Sequence, residues 1–296
     1  FDNFIDNNII FLERVKEINI DFFLQEINET WSGLEDHEKA IQYLTEYIQL
    51  YENLFDQRKP YLENQFNSSL DYYNTDQTFE EYKASILSGP YDDLANMNLK
   101  QNDIESYIKS MKQSISFEEK LGTSDFVLID KYTSLATEYS KIEDITNSKI
   151  YILQAERLLK RLDDLENKML STKTIFDYYF KYAFGNDEIR FRKSLRLLND
   201  ALKEAEDAGN YEYQYWCLLR LASTYHALDN NPGLQYDHFL RADSLLLEHN
   251  LAMDIDYTGF RFFDVMHDNN EYDRIRRITR YIFEYHTLNR KYRSAY

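Results

Sequence analysis

Apolar residues recur along this chain at every third or fourth position, in long stretches separated by short polar breaks. That spacing lines one face of an α-helix, whereas strict apolar/polar alternation, the mark of a half-buried strand, is almost absent. An all-α protein is the direct expectation. The stretch from Tyr132 to Ala155 shows the pattern best. Tyr132-x2-Leu135-Ala136-x2-Tyr139 sets bulky and small residues on one helical face. After a polar break around Lys141–Asp144, Ser148-x3-Ile152-x2-Ala155 does the same on a second helix. Two such helices cannot bury their faces alone and need copies beside them.

Copies are present. Tyr91-x2-Leu94-Ala95-x2-Asn98 precedes Tyr107-x3-Met111-x2-Ser114, and Leu218-x2-Leu221-Ala222-x2-Tyr225 precedes Gln235-x3-Phe239-x2-Ala242. Between them lies Ile175-x2-Tyr178-Tyr179-x2-Tyr182, followed by Ser194-x3-Leu198-x2-Ala201. Here Tyr179 takes the small position, so this pair must sit further apart or shift register. Upstream, Ile5, Ile9, Leu12 and Val15 predict a helix within 1–30, and Glu35–Phe55 reads as a long amphipathic helix through Ala40, Leu44 and Ile48. Pro60 opens a helix carrying Phe66, Leu70 and Tyr73, and Phe79–Leu87 is expected as a short helix ended by Gly89-Pro90. The last pair is Leu251–His267 and Glu271–Asn289, with Arg274, Arg277 and Arg280 on a polar outer face.

The order of aromatic, Leu, small residue and Tyr, then a second helix ending in Ala, resembles the tetratricopeptide repeat. Units at about 88–122, 129–164 and 215–250 match well, and two more match loosely. Tyr91 precedes Tyr132 by 41 residues. The motif proper takes about 34, so the second helices are expected to overrun by roughly two turns. HEAT or armadillo repeats share the longer period but lack these small and Tyr positions, and rank second. The resemblance implies an all-α, right-handed superhelical solenoid of antiparallel helix pairs with a concave inner face. It would form one domain over 1–296: irregular N-terminal helices and degenerate repeats in 1–90, regular repeats in 91–250, and C-terminal capping helices in 251–296. It also implies a non-catalytic module that binds proteins or peptides. The Tyr- and Asn-rich, long-period style is similar to repeat sensor regions of bacterial, Bacteroidetes-like signalling regulators. A sensing or docking region of a signal-transduction or transcription-regulatory protein is therefore expected. A structural homo-oligomerisation element, such as a homodimer, and a soluble adaptor are the alternatives.

Charge narrows the partners. The net charge is −18, which disfavours nucleic acid. The acidity is uneven: 271–296 hold seven Lys/Arg and three Asp/Glu, leaving the first 270 residues at −22. Cys217 is the lone cysteine and sits in a helical pattern, where a buried thiol is expected. No apolar run approaches the ~20 residues of a membrane span. The chain opens on Phe1 rather than Met, so a leader is expected to have been removed; a periplasmic sensor region and a cytoplasmic protein both fit.

The six histidines share no metal-ligand spacing, and no phosphate loop or nucleophile motif is readable. Asp254-x-Asp256-x-Thr258-Gly259 opens like a calcium loop, but Val265 stands where the closing Glu belongs. No catalytic residue, cofactor or metal is therefore expected. By the resemblance, inner-face positions fall at Thr133, Thr137 and Ser140, at Phe176, Phe180 and Ala183, and at Trp216, Leu219, Ser223 and His226. The carboxylate clamp known for such modules would need Lys and Asn at Thr133 and Thr137, and is unmatched. Candidate partner-binding residues are Phe176, Phe180, Trp216, Leu219 and His226, because aromatic anchors concentrate binding energy. The same residues could instead pack against neighbouring helices. With acidic surroundings, the expected partner carries basic residues at its rim.

Overall fold

The computed structural model describes residues 37–57, 59, 60, 63, 78–183, 187–228, 232–249, 251, 267 and 270–280. The helix expected within 1–30, the helix carrying Phe66–Tyr73, the span 252–266 with its calcium-like stretch, and 281–296 lie outside the described residues. Among the described residues every regular element is helical. The chain forms two compact units, Phe1–Glu138 and Tyr139–Tyr296.

In the first unit, α1 (His37–Gln57) packs on α2 (Phe79–Lys100). Tyr51 and Phe55 meet Phe79, Ala84 and Leu87, while Ala40, Leu44 and Ile48 meet Leu94 and Met97. The two helices therefore run antiparallel. Thr78 caps α2 in a reciprocal box: its hydroxyl accepts from the Glu81 amide at 3.2 Å, and the Glu81 carboxylate accepts from the Thr78 amide at 2.5 Å. The expected stop at Gly89-Pro90 does not occur, and α2 runs through both residues. An interior proline costs a helix about 3 kcal/mol. Here Gly89 has no Cβ to clash with the ring, and Leu87, Ser88, Pro90, Leu94 and Ala95 are all buried, so packing on both sides of the dipeptide offsets the loss.

α3 (Ile104–Leu121) returns along α2 after a turn in which Asn102 takes φ 59°. Asp103 caps its start, and Gly122 ends it at φ 63°, a left-handed position that glycine adopts without strain. Ala95, Tyr107, Met111 and Ser114 close this pair, all buried. α4 (Asp125–Lys141) buries Ile129, Tyr132, Leu135 and Ala136, and its last residues belong to the second unit.

In that unit α5 (Ile145–Leu159) is capped by Asp144 and buries Ser148, Ile152, Ala155 and Leu159. It stops at Leu159, without the two-turn overrun expected of the second helices. The extra residues of the period instead start the next helix early, since α6 (Leu165–Asp177) opens behind an Asp164 cap. α7 (Asp187–Asp207), α8 (Tyr211–Leu228) and α9 (Pro232–Glu248) follow. Residues 272–280 are helical and insert Ile278 into the core around α8. Arg274 and Arg277, expected on a solvated outer face, lie 3.0 and 3.8 Å from the buried carboxylate of Asp243. They tie this helix to α9.

The exception at Tyr179 appears as a register shift. After α6 the backbone makes a π turn over Tyr178–Tyr182, with the Ala183 amide donating to the Tyr178 carbonyl at 2.9 Å. One residue is thereby added to the turn. Tyr178 and Tyr179 both remain buried, and Tyr182 swings out.

Ala136 and Ala222 are completely buried at such close contacts. Ala136→Leu and Ala222→Leu should each lower stability by roughly 1–3 kcal/mol through overpacking. Chemical denaturation measures this, and unchanged midpoints for both would show that the helices are not in tight register there.

Candidate functional site

α8 organises the second unit. Gly209 at φ 64° ends α7, and the Asn210 side chain accepts the Tyr213 amide at 2.9 Å to start α8. From Tyr213 to Ala222 every residue of α8 is buried. A helix apolar on most of its circumference belongs inside a core. Phe176 meets Trp216 edge-on at 5.7 Å between centroids and stacks on Phe180 at 5.3 Å, and Phe180 leans on Phe191 at 5.5 Å. Lys173 lies 5.6 Å over the Trp216 ring, and Arg220 sits 5.9 and 5.8 Å over Phe176 and Trp216. The cations thus cover the ring faces.

Of the five candidate partner-binding residues, Phe176, Trp216 and Leu219 are 1%, 9% and 3% exposed and belong to this core. Their rings and methyls have no free face for a partner. The packing alternative accounts for them: α8 is covered on the side expected to face a groove. Phe180 is partly buried against the same core, and His226 is exposed with Nδ1 3.3 Å from the Gln235 amide. The five residues do not form one surface. Thr133 is buried as well, its hydroxyl donating to the Ile129 carbonyl at 2.8 Å, while the Ser140 hydroxyl donates to the Tyr182 carbonyl. Cys217 is fully buried, and burial pushes its thiol pKa up, as an inert thiol requires.

Two features were not anticipated from the sequence. The first is a cleft of about 570 Å³ between α5, α6 and α7, within the usual range for ligand-sized pockets. Lys160, Lys168, Lys193, Arg196 and Lys203 line it together with four carboxylates. Two of those carboxylates are engaged: Glu156 accepts the Tyr179 hydroxyl at 2.6 Å, and Glu204 pairs with Lys168 at 2.9 Å. Lys193 donates to the Tyr179 hydroxyl at 3.0 Å. The tyrosine that displaced the small residue therefore holds two of the side chains that line the cleft, Glu156 and Lys193. Further along α5, towards its start, Ile145, Ile150 and Leu153 stand exposed.

The second feature is a polar knot in the first unit. Lys131, 8% exposed, donates to Asp92 at 2.9 Å and Ser114 at 2.7 Å and lies 3.6 Å from Glu118. Glu118 also accepts the Ser88 hydroxyl at 3.1 Å, so the knot joins α2, α3 and α4. Next to it, burial and the neighbouring Asp92 push Asp93 up to about 6, against the opposing pull of Lys131 and Lys100. Among the described residues no group of three or more His, Cys, Asp or Glu is placed to hold a metal ion, and no helix is long and apolar enough to cross a membrane.

The helix pairs are tetratricopeptide-like, with the motif's small and aliphatic positions buried between partners. No family model matches the sequence, and no curated protein matches it. Solved structures with similar architecture include the apo form of RapI, at 11% identity and a TM-score of 0.49, over 85% of this chain and 73% of that one. Another holds the nearly identical TPR-like repeats of a putative kinesin light chain from Podosopora anserina, at 12% identity and a TM-score of 0.45, over 76% of this chain and 99% of that one. A signal-transduction ATPase of the STAND class with a tetratricopeptide repeat sensor, from Pyrococcus horikoshii, aligns at 13% identity and 0.45, over 92% of this chain but 42% of that one. Likeness at these levels assigns neither a family nor a function.

Two outcomes follow from this geometry. Trp216→Ala and Phe176→Ala should each cost about 3–5 kcal/mol of stability, as core truncations do; a variant that kept its stability while losing a partner would instead make that ring a docking residue. Asp93 makes stability pH-dependent. Its folded pKa lies above the ordinary unfolded value of ~3.9, so between about pH 4 and 6 the folded chain binds a proton that the unfolded chain does not, and stability rises as pH falls through that window. Asp93→Asn should therefore raise Tm at pH 7, and its advantage should fade towards about pH 4.5. An advantage independent of pH would rule out the titration.

Proposed function

We propose that this chain is a non-catalytic helical repeat module that docks a protein partner, serving as the sensing or docking region of a signalling or transcription-regulatory protein. The observation that carries the reading is the row of exposed aliphatic side chains on α5. Ile145, Ile150 and Leu153 are 40–48% exposed, and the charged cleft opens at the C-terminal end of the same helix, at Glu156, Leu159 and Lys160. Apolar side chains scattered singly on a surface need no explanation, but a row along one helix that ends at a lined cleft is the form of a contact site. Phe176, Trp216 and Leu219 pack in the core around α8, which favours the α5 surface over them. The signalling role is supported by the repeat style of the sequence, and the docking role by the α5 surface.

The immobilised chain should retain a partner protein from extracts of its source organism, and an Ile150→Ser/Leu153→Ser variant with unchanged Tm should not. Retention by both would place docking elsewhere, with the exposed end of α8 near His226 the next surface to test. A concentration-dependent dimer abolished by the same substitutions would establish homo-oligomerisation instead.

A further inference from the structure

α5 presents two faces of opposite character. Ser148, Ile152, Ala155 and Leu159 pack into the core. From Ile145 to Arg161 the exposed positions are the aliphatics Ile145, Ile150 and Leu153, Thr146, and four cations. The cations are Lys149, Arg157, Lys160 and Arg161, and no carboxylate is exposed over this stretch. Ile142, in the turn just before, is 50% exposed and extends the aliphatic row. Among the described residues no ion pair engages Lys149, Arg157 or Lys160. On a helix, Ile145, Lys149, Leu153 and Lys160 fall on one strip, which leads into the cleft where Arg196 and Lys203 stand.

The charge balance of this part of the sequence differs from that of the first unit. Residues 1–138 carry 27 Asp/Glu and 11 Lys/Arg, whereas 145–207 carry 11 and 12. A face that pairs aliphatic side chains with cations, on a chain of net −18, is complementary to a segment that pairs aliphatic side chains with carboxylates. We propose that the outer face of α5, with the cleft at its C-terminal end, docks an acidic amphipathic helix of a partner protein. This rests on the docking reading above and adds the partner's chemistry. The partner's aliphatic residues sit on Ile145, Ile150 and Leu153, and its carboxylates meet Lys149, Arg157 and Lys160. From Ile145 to Arg161 the face spans about 24 Å, which a helix of roughly sixteen residues covers.

The expectation of a basic-rimmed partner follows from overall acidity, whereas contact at α5 is governed by the charges within a Debye length of it. A second copy meeting this face with its own α5 would set cation against cation. A second copy offering its acidic first unit would make a heterologous contact that need not close into a defined oligomer. An anionic membrane attracts the four cations but repels the remainder of a strongly acidic chain.

The test uses the whole chain and two sixteen-residue helical peptides with Leu at i, i+4, i+8 and i+11, one with Glu at the flanking positions and one with Lys, read by fluorescence anisotropy. The Glu peptide should bind and the Lys peptide should not. Arg157→Glu/Lys160→Glu, with unchanged Tm, should weaken Glu-peptide binding about tenfold or more, and raised salt should weaken binding to the native chain. Ile150→Ser/Leu153→Ser should also weaken it. Equal binding of the Lys peptide, or full binding by both variants, overturns the α5 assignment while leaving a protein-docking module standing. Binding of neither peptide, together with binding to phosphatidylserine vesicles that the charge reversal abolishes, overturns the proposal and the docking reading in favour of a membrane surface. Binding of nothing, with self-association abolished by the α5 variants, overturns both in favour of a homo-oligomer. Absence of all binding overturns both outright.

Discussion

How closely two helix backbones can approach decides everything else in these helix pairs. Ala95, Ala136, Ala155, Ala222 and Ala242 show no exposed surface at all, nor do Ser114 and Ser194, and Ser148 is nearly as deep. A methyl or hydroxymethyl at these points lets the facing ridges interlock at short interaxial distance. Interiors packed to crystal density do not deform gradually, so a larger residue at one of these points has to be met by a discrete change in the backbone. Tyr179 is that case. The chain answers with a π turn, which adds a residue, keeps Tyr178 and Tyr179 inside and expels Tyr182. Its hydroxyl then reaches Glu156 and Lys193, so a local packing fault becomes a polar tie between α5, the π turn and α7.

The same logic explains where the aromatic residues went. α8 is enclosed from Tyr213 to Ala222, which draws Phe176, Trp216 and Leu219 inward and leaves two basic side chains, Lys173 and Arg220, to cover ring faces. Aromatic rings carry enough apolar area to dominate either an interface or a core, and their identity alone does not choose between the two. Enclosure does. With α8 covered, exposed apolar residues fall on helices packed on one side only, and α5 is such a helix.

Much of this was legible before any coordinates. The small and aliphatic slots of four helix pairs follow from spacing alone, as do α1 and the buried thiol of Cys217, because burial of a periodic face is a local property of the sequence. The run of α2 through Gly89-Pro90 was not legible. A breaker dipeptide is a local signal, and the packing that overrides it comes from α1 and α3, distant in sequence. The early start of α6 was missed for a related reason, since a repeat period gives the sum of two helix lengths and not their division. The α5 surface did leave a trace. Ile145, Ile150 and Leu153 fall outside the face defined by Ser148, Ile152 and Ala155. Nothing in the repeat motif assigns those three positions, so beyond that the second stripe carries no signal of its own.

Net charge is a coarse guide to what a contact surface presents. A total of −18 describes the field felt far from the molecule, and at physiological ionic strength that field decays within about 8 Å. Contact is governed by the local pattern, and from Ile145 to Arg161 that pattern is four cations, two on α5 and two just past its end, among aliphatics with no exposed carboxylate. The acidity elsewhere still has a part in recognition. It disfavours close contact between other carboxylates and the acid-rich segments of the chain. A face on which aliphatic and cationic positions alternate is matched by a complementary segment in few registers, which gives a selectivity that a uniformly basic surface would not.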